Sequence, residues 1–147
     1  MSGVIAGAAA RPLPVPYEWD RGFWDAAKKQ ELVVQCCGRC KKVRSFPRLM
    51  CPSCRSLEFE WLKASGKGRL YSWNTLYQSF HPAFVKFPFT VGIIELEDYP
   101  DVHLVGGLQM DGLREDDLHI DQPVEVVFHK ISEDVMLPEF RVVKGDD

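Results

Sequence analysis

The most concentrated chemistry in this sequence is sulfur. All five cysteines fall within QCCGRCKKVRSFPRLMCPSC, the twenty residues from Gln35 to Cys54. Cys37-Gly38-Arg39-Cys40 and Cys51-Pro52-Ser53-Cys54 are two C-x2-C pairs with ten residues between them. Each pair suits a tight turn that aims two sulfurs at one ion, because Gly38 relaxes the backbone and Pro52 fixes φ. Two such turns make a tetrahedral thiolate cage, a donor set that suits Zn(2+). An iron site with the same four sulfurs, or a ribbon that has lost its metal, are the alternatives. Four protein ligands leave no open position for a substrate, so the metal is read as structural. A divalent ion with four thiolates carries about −2, which Arg39, Lys41, Lys42 and Arg55 are near enough in sequence to offset. Cys36 stands outside the two pairs. It is a spare thiol, an alternative ligand or a buried small residue, and the usual burial of free cysteine favours the last.

Other reactive side chains are scattered. His81, His103, His119 and His129 show no metal spacing, and the sequence offers no nucleophile with a base beside it. There is no glycine-rich phosphate loop. Glu115-Asp116-Asp117 reads as a solvated helical face. His81 differs because it lies in QSFHPAFVKFP, a loop that also carries Phe80, Phe84 and Phe87. Such loops are where binding residues are commonly placed; the alternative is a loop folded back over the mouth of the domain. No self-contained active site is legible.

The elements that must position these groups fall into two sets. A short helix over Phe23 to Lys29 and a strand from Leu32 to Gln35 lead into the first cysteine turn. Trp19, Phe23 and Trp24 give that helix a large apolar face, read as packing on the ribbon or the second module, with docking on a partner as the alternative. After Gly66-Lys67-Gly68, alternation marks a strand over Arg69–Tyr77, and further strands are expected over Phe89–Glu97, Val102–Gln109, Pro123–His129 and, short, Phe140–Val143. Gly106-Gly107 suggests a bulge or sharp bend. A helical turn over Leu113–Leu118 separates the third and fourth strands. Five strands with that helix fit a small closed barrel of the OB type. The organisation expected is a flexible arm over 1–16, helix and ribbon over 17–64, and an OB-fold domain over 65–147.

Composition narrows the function classes. The chain has 147 residues, 46% hydrophobic and 12% aromatic, enough for a core and against general disorder. A net charge of −3 argues against a dedicated nucleic-acid binder. The charge is uneven, however: from Cys36 to Arg55 there are six basic residues and no acidic one. No apolar run approaches the roughly 20 residues of a membrane helix. The N-terminus lacks the basic-then-apolar order of a secretory signal, so a cytoplasmic protein is expected, where clustered cysteines bind metal rather than pair.

A resemblance joins these features. It is carried by Phe23-Trp24 with its helix, CGRC at Cys37, Phe46-Pro47-Arg48 leading to CPSC at Cys51, and GKGRLYSW from Gly66. Phe80-His81-Pro82-Ala83-Phe84, Pro123-Val124-Glu125-Val126 and Leu137-Pro138-Glu139-Phe140-Arg141 complete it. On these motifs the chain resembles the DUF35 family, rubredoxin-like zinc-ribbon plus OB-fold proteins associated with acyl-CoA metabolism, over nearly everything past Tyr17. Cys36 and Ser45 depart from the family pattern without touching the ligands. The resemblance implies an accessory subunit of a thiolase-fold (lipid-transfer-protein-like) enzyme in a hetero-oligomer. That enzyme acts on acyl-CoA thioesters, by retro-aldol cleavage in steroid or related side-chain breakdown or by acyl transfer. Partnership with a MaoC-like hydratase is one alternative. A single-stranded nucleic-acid module is another, though few strand-borne basic residues follow Arg69. A partner or acyl-CoA is expected to meet charge from Arg39, Lys41, Lys42, Arg44 and Arg48 and apolar contact from Phe80, His81, Phe84 and Phe87.

Overall fold

The computed structural model describes residues 11–84 and 86–144, so the first ten residues of the expected N-terminal arm lie outside it. Two sheets follow one helix. Helix α1 spans Arg21–Lys28. Strands β1 (Leu32–Cys37), β2 (Val43–Arg44) and β3 (Phe59–Ala64) form an antiparallel sheet in the order β2-β1-β3. Strands β4 (Lys67–Leu76), β5 (Phe89–Leu96), β6 (His103–Gln109), β7 (Pro123–Lys130) and β8 (Met136–Val142) close a barrel in the order β4-β5-β6-β8-β7. A 3-10 turn over Glu115–Asp117 joins the third and fourth barrel strands. The parallel β6–β8 pair and the β4–β7 closure give the five-stranded OB arrangement that the strand pattern predicts.

Alternation decides which side chains enter the barrel. Thr90, Gly92, Ile94 and Leu96 of β5 are buried, while Phe89, Val91, Ile93 and Glu95 face outward. Ile94 and Leu96 meet Leu70, Leu104, Leu108, Val124 and Phe140 in one cluster. Each such fully buried side chain contributes roughly 1.5–3 kcal/mol. Leu32, Val34 and Ala64 of the three-stranded sheet belong to the same cluster, so ribbon and barrel share a core.

Two local expectations change. The predicted bulge at Gly106-Gly107 is absent: β6 keeps a regular register there, Gly106 opposite Gly92 and Gly107 opposite Val91. A side chain would find ordinary contacts at both positions. A Cβ on Gly106 would lie 3.4 Å from the Phe140 ring, and one on Gly107 would lie 3.5 Å from the Glu139 carboxyl carbon. The irregularity falls in β4, between Leu70 and Ser72. Strand β8 also begins earlier than expected, at Met136, and carries Pro138 opposite Phe128. A proline argues against a strand in sequence, but the ladder from β8 to β6 starts only at Phe140, beyond it.

Candidate metal centre and contact surfaces

The two C-x2-C turns are built alike. Cys37 N–H donates to Lys42 O at 2.9 Å, and Cys51 N–H to Ser56 O at 2.9 Å. Each turn closes through the residue after its second cysteine: Lys41 N–H to Cys37 O at 3.1 Å, Arg55 N–H to Cys51 O at 2.9 Å. Lys41 and Arg55 both take φ of 63°, the left-handed region, which lets the chain reverse tightly enough to bring each sulfur pair inward.

The four sulfurs of Cys37, Cys40, Cys51 and Cys54 all lie within 4.8 Å of one another. Cys37 Sγ is 3.5 Å from Cys54 Sγ, and Cys40 Sγ is 3.7 Å from Cys51 Sγ. A tetrahedron with metal–sulfur bonds of about 2.3 Å has edges of about 3.8 Å, so this donor set fits zinc in both chemistry and size. The four thiols are not treated alike: despite the Lys42 amide, burial and the neighbouring sulfurs push Cys40 up to about 11. The backbone N–H groups of Cys40 and Arg39 aim at Cys37 Sγ, both at 3.4 Å, and hold that thiol down at about 6 despite its burial. The Cys54 and Ser53 amides lower Cys51 in the same way. Cys36 points elsewhere: it is buried, outside the cluster, and burial with the nearby Glu60 charge pushes its thiol up. It is the small buried residue favoured among the readings of that thiol.

The basic residues near the cage diverge. Lys41 Nζ pairs with Glu60 at 3.2 Å, and Lys42 Nζ donates to Ser53 Oγ at 3.1 Å. Arg39 and Arg48 are exposed. Arg44 is not a surface cation: it is 7% exposed. The reason is its place in β2, where it pairs with the fully buried Gln35.

The aromatic loop lies between β4 and β5. Ser79 Oγ bonds the His81 and Phe84 carbonyls, each at 2.8 Å, and Phe84 N–H donates to His81 O. His81 Nδ1 accepts from Ala83 N–H at 3.1 Å, and its ring meets Phe84 edge-on. These bonds hold a compact turn that presents Phe80, 78% exposed, with Phe84 and Phe87 half-buried behind it. Arg11 sits over the Phe84 ring at 5.2 Å. Beside the loop a cleft of about 400 Å³ opens between Thr75, Tyr77, Thr90, Met110 and Arg114. Tyr77 OH donates to Glu115 there, and that carboxylate raises the tyrosine's pKa. In the chain, β3 and β4 both lie between the cysteine cage and the loop, and the cleft beside the loop is lined by none of the four cysteines.

Sequence reasoning missed two fixed polar groups. Gln35 is buried, donating from Nε2 to Trp19 O at 3.1 Å and accepting Arg48 N–H at 2.7 Å. Glu139 is buried too, accepting from Gln109 at 3.1 Å and lying 3.1 Å from His129 Nδ1. Neither has a local signal, because the partners come from distant strands and loops. Among the described residues the histidine rings meet carboxylates or backbone groups, and none meets a thiol or hydroxyl.

Known proteins match this architecture. Residues 24–60 match the ChsH2 rubredoxin-like zinc ribbon domain and residues 61–129 the ChsH2 C-terminal OB-fold domain. A probable enoyl-CoA hydratase alpha subunit of Thermomonospora curvata is 35% identical over 134 residues, 90% of this chain. The chain spans only 40% of that relative's length. A DUF35 domain-containing scaffold protein of Methanocaldococcus jannaschii is 34% identical over 99 residues, 67% of each chain. Among solved structures, a chain of the Ltp2-ChsH2(DUF35) aldolase superposes with a TM-score of 0.77 and 32% identity, covering 88% of this chain and 98% of that one. A DUF35 structure from Sulfolobus solfataricus, at 11% identity and a TM-score of 0.58, shares the fold.

Proposed function

Because the chain belongs to the DUF35 family of zinc-ribbon and OB-fold proteins, we propose that it is an accessory scaffold subunit of an enzyme acting on acyl-CoA thioesters. The observation that carries this is the match to nearly the whole length of a chain of the Ltp2-ChsH2(DUF35) aldolase. The finer reading goes further than that match. The partner is a thiolase-fold subunit in a hetero-oligomer, and the reaction is retro-aldol cleavage of a steroid or related side chain.

The division of labour suits this chain's residues. Cys37, Cys40, Cys51 and Cys54 would hold zinc, which supplies a rigid cross-link and no open position for substrate. The ribbon then keeps its shape although its sheet has only three short strands. Arg39, Lys41, Lys42 and Arg48 present positive charge near the cage. Phe80, His81, Phe84 and Phe87 present aromatic surface at the far end of β4. These two surfaces are the contacts for the partner enzyme or for the acyl-CoA it carries.

A second reading has one observation in its favour. The similarity to the Thermomonospora curvata protein supports a hydratase, rather than an aldolase, as the partner. Co-production with a candidate thiolase-fold subunit separates the two. Retro-aldol turnover of an acyl-CoA thioester that requires both chains supports the first reading. Hydration of an enoyl-CoA by a complex lacking a thiolase-fold chain supports the second. In either complex, Phe84→Ala is expected to weaken assembly about 10-fold or more while shifting the melting temperature little. An equal loss of stability with unchanged binding would assign Phe84 to the core.

A further inference from the structure

The ribbon face that buries Gln35 also buries a charge. Arg44 stands directly opposite Gln35 in the β1–β2 pairing, so the two side chains leave the sheet on the same face. Gln35 has both ends of its amide satisfied, by Trp19 O and Arg48 N–H. Arg44 does not: its Nε and Nη1 are enclosed with no hydrogen-bond partner. Among the described residues no carboxylate lies within ion-pair distance of it. A guanidinium cannot discharge by losing a proton, as a buried lysine or histidine can. Enclosing it unpaired is unfavourable, and an anion brought to it relieves the cost.

The chain around this site supplies the rest of a docking surface. The segment after β2 is tied down by the Arg48 N–H on Gln35, and it leaves Phe46, Leu49 and Met50 each about half exposed. The stretch itself is basic, with six basic and no acidic residues from Cys36 to Arg55, although Lys41 is paired with Glu60 of β3. An apolar rim, a positive field and an arginine needing an anion match a protein surface that is itself acidic with apolar contacts.

We propose that the segment Phe46–Met50, with the neighbouring Arg44, is the docking surface for an acidic patch of the partner enzyme, and that an Asp or Glu carboxylate of that patch pairs with the Arg44 guanidinium. This rests on the reading of the chain as an accessory subunit and assigns that contact to a place and a chemistry. A carboxylate can span one edge of the guanidinium, Nη2 with either Nε or Nη1, through two parallel N–H···O bonds, and the apolar rim limits water at the pair.

The test uses the full chain, alone and with the thiolase-fold subunit. For the isolated protein, Arg44→Met keeps the bulk and removes the unpaired charge, so its melting temperature is expected to equal or exceed that of the wild type. A fall of several degrees would mean that Arg44 is paired within the fold and would overturn the proposal. In the complex, Arg44→Met is expected to weaken assembly at least about 30-fold, because it strands the partner's carboxylate. Phe46→Ser, at the exposed rim, is expected to weaken assembly without altering the melting temperature. Wild-type assembly with undiminished binding by both variants overturns the docking surface alone; failure of the wild type to bind any thiolase-fold subunit overturns the parent reading with it. Inorganic phosphate and acetate are added to the isolated protein as free anions. No effect beyond that of matched sodium chloride is expected. A saturable stabilisation that Arg44→Met abolishes would make this a small-anion site and overturn the assignment to a protein carboxylate.

Discussion

Gln35 shows how one side chain can fasten three segments. Its amide takes a carbonyl from the turn before α1 and an amide from the segment after β2, while its backbone lies in β1. Gln35→Ala removes the partner of both the Trp19 carbonyl and the Arg48 N–H. It is expected to cost about 2–3 kcal/mol in urea denaturation; a loss under about 0.5 kcal/mol would show that water replaces both bonds. The sequence gives no hint of this, because the bonded groups are backbone atoms 16 and 13 residues away. The cysteines are the opposite case. Their roles follow from spacing alone, since each turn is built from four consecutive residues and its geometry is local. A second residue-level prediction concerns pH. Arg69 beside Glu95, helped by His103, holds that carboxyl below its usual value of 4.5; Asp121 lies 4.0 Å from the same guanidinium. A depressed folded pKa stabilises the protein above the ordinary carboxylate range, and the contribution disappears as pH falls through the folded value. Arg69→Gln is therefore expected to be less stable than the wild type near neutrality, with the gap closing below about pH 4. A gap that stays constant across acid titration would contradict the pairing.

At the scale of elements, α1 is seated by close approach rather than by a long apolar face. A Cβ on Gly22 would lie 2.1 Å from Trp61 Nε1, so the helix backbone rests against the β3 indole. Gly22→Ala improves helix propensity, yet it is expected to destabilise by about 1–3 kcal/mol through the displaced ring, measured by thermal unfolding. Stabilisation would mean that Trp61 moves aside freely. The barrel strands were legible from alternation in β4 and β5 and from short apolar runs bounded by turn residues in β6 and β7. Strands β2 and β3 were not: β2 has two residues, and β3 owes its place to pairing with β1 across the cysteine turns. Gly106-Gly107 misled because a glycine pair permits a bulge without requiring one. Metal removal tests the coupling of the two sheets. Zinc is expected near one per chain. Chelation or Cys40→Ser is expected to unfold the ribbon and, because Leu32, Val34 and Ala64 lie in the barrel's core, to lower the melting temperature of the whole. A metal-free wild type of equal stability would remove the structural role.

The whole molecule is electrically polar. Residues 21–64 carry ten Lys and Arg against four Asp and Glu, a net +6; residues 65–144 carry seven against thirteen, a net −6. The total of −3 hides this division. It sets the barrel against a nucleic-acid backbone and leaves the ribbon as the end that attracts anions. Fold and metal donors were legible in the sequence because they rest on local pattern. The contact residues were legible only as types: Arg44 read as one more basic residue, and burial, visible only in three dimensions, sets it apart from Arg39 and Arg48. The claim most exposed to failure is that this chain completes another enzyme. Its most direct test is purification of the tagged, zinc-loaded protein from its native lysate, with mass spectrometry and measured stoichiometry of what accompanies it. A thiolase-fold subunit in near-equal amount is the result expected. Recovery of the chain alone, or with nucleic acid that leaves at raised salt, would contradict the account.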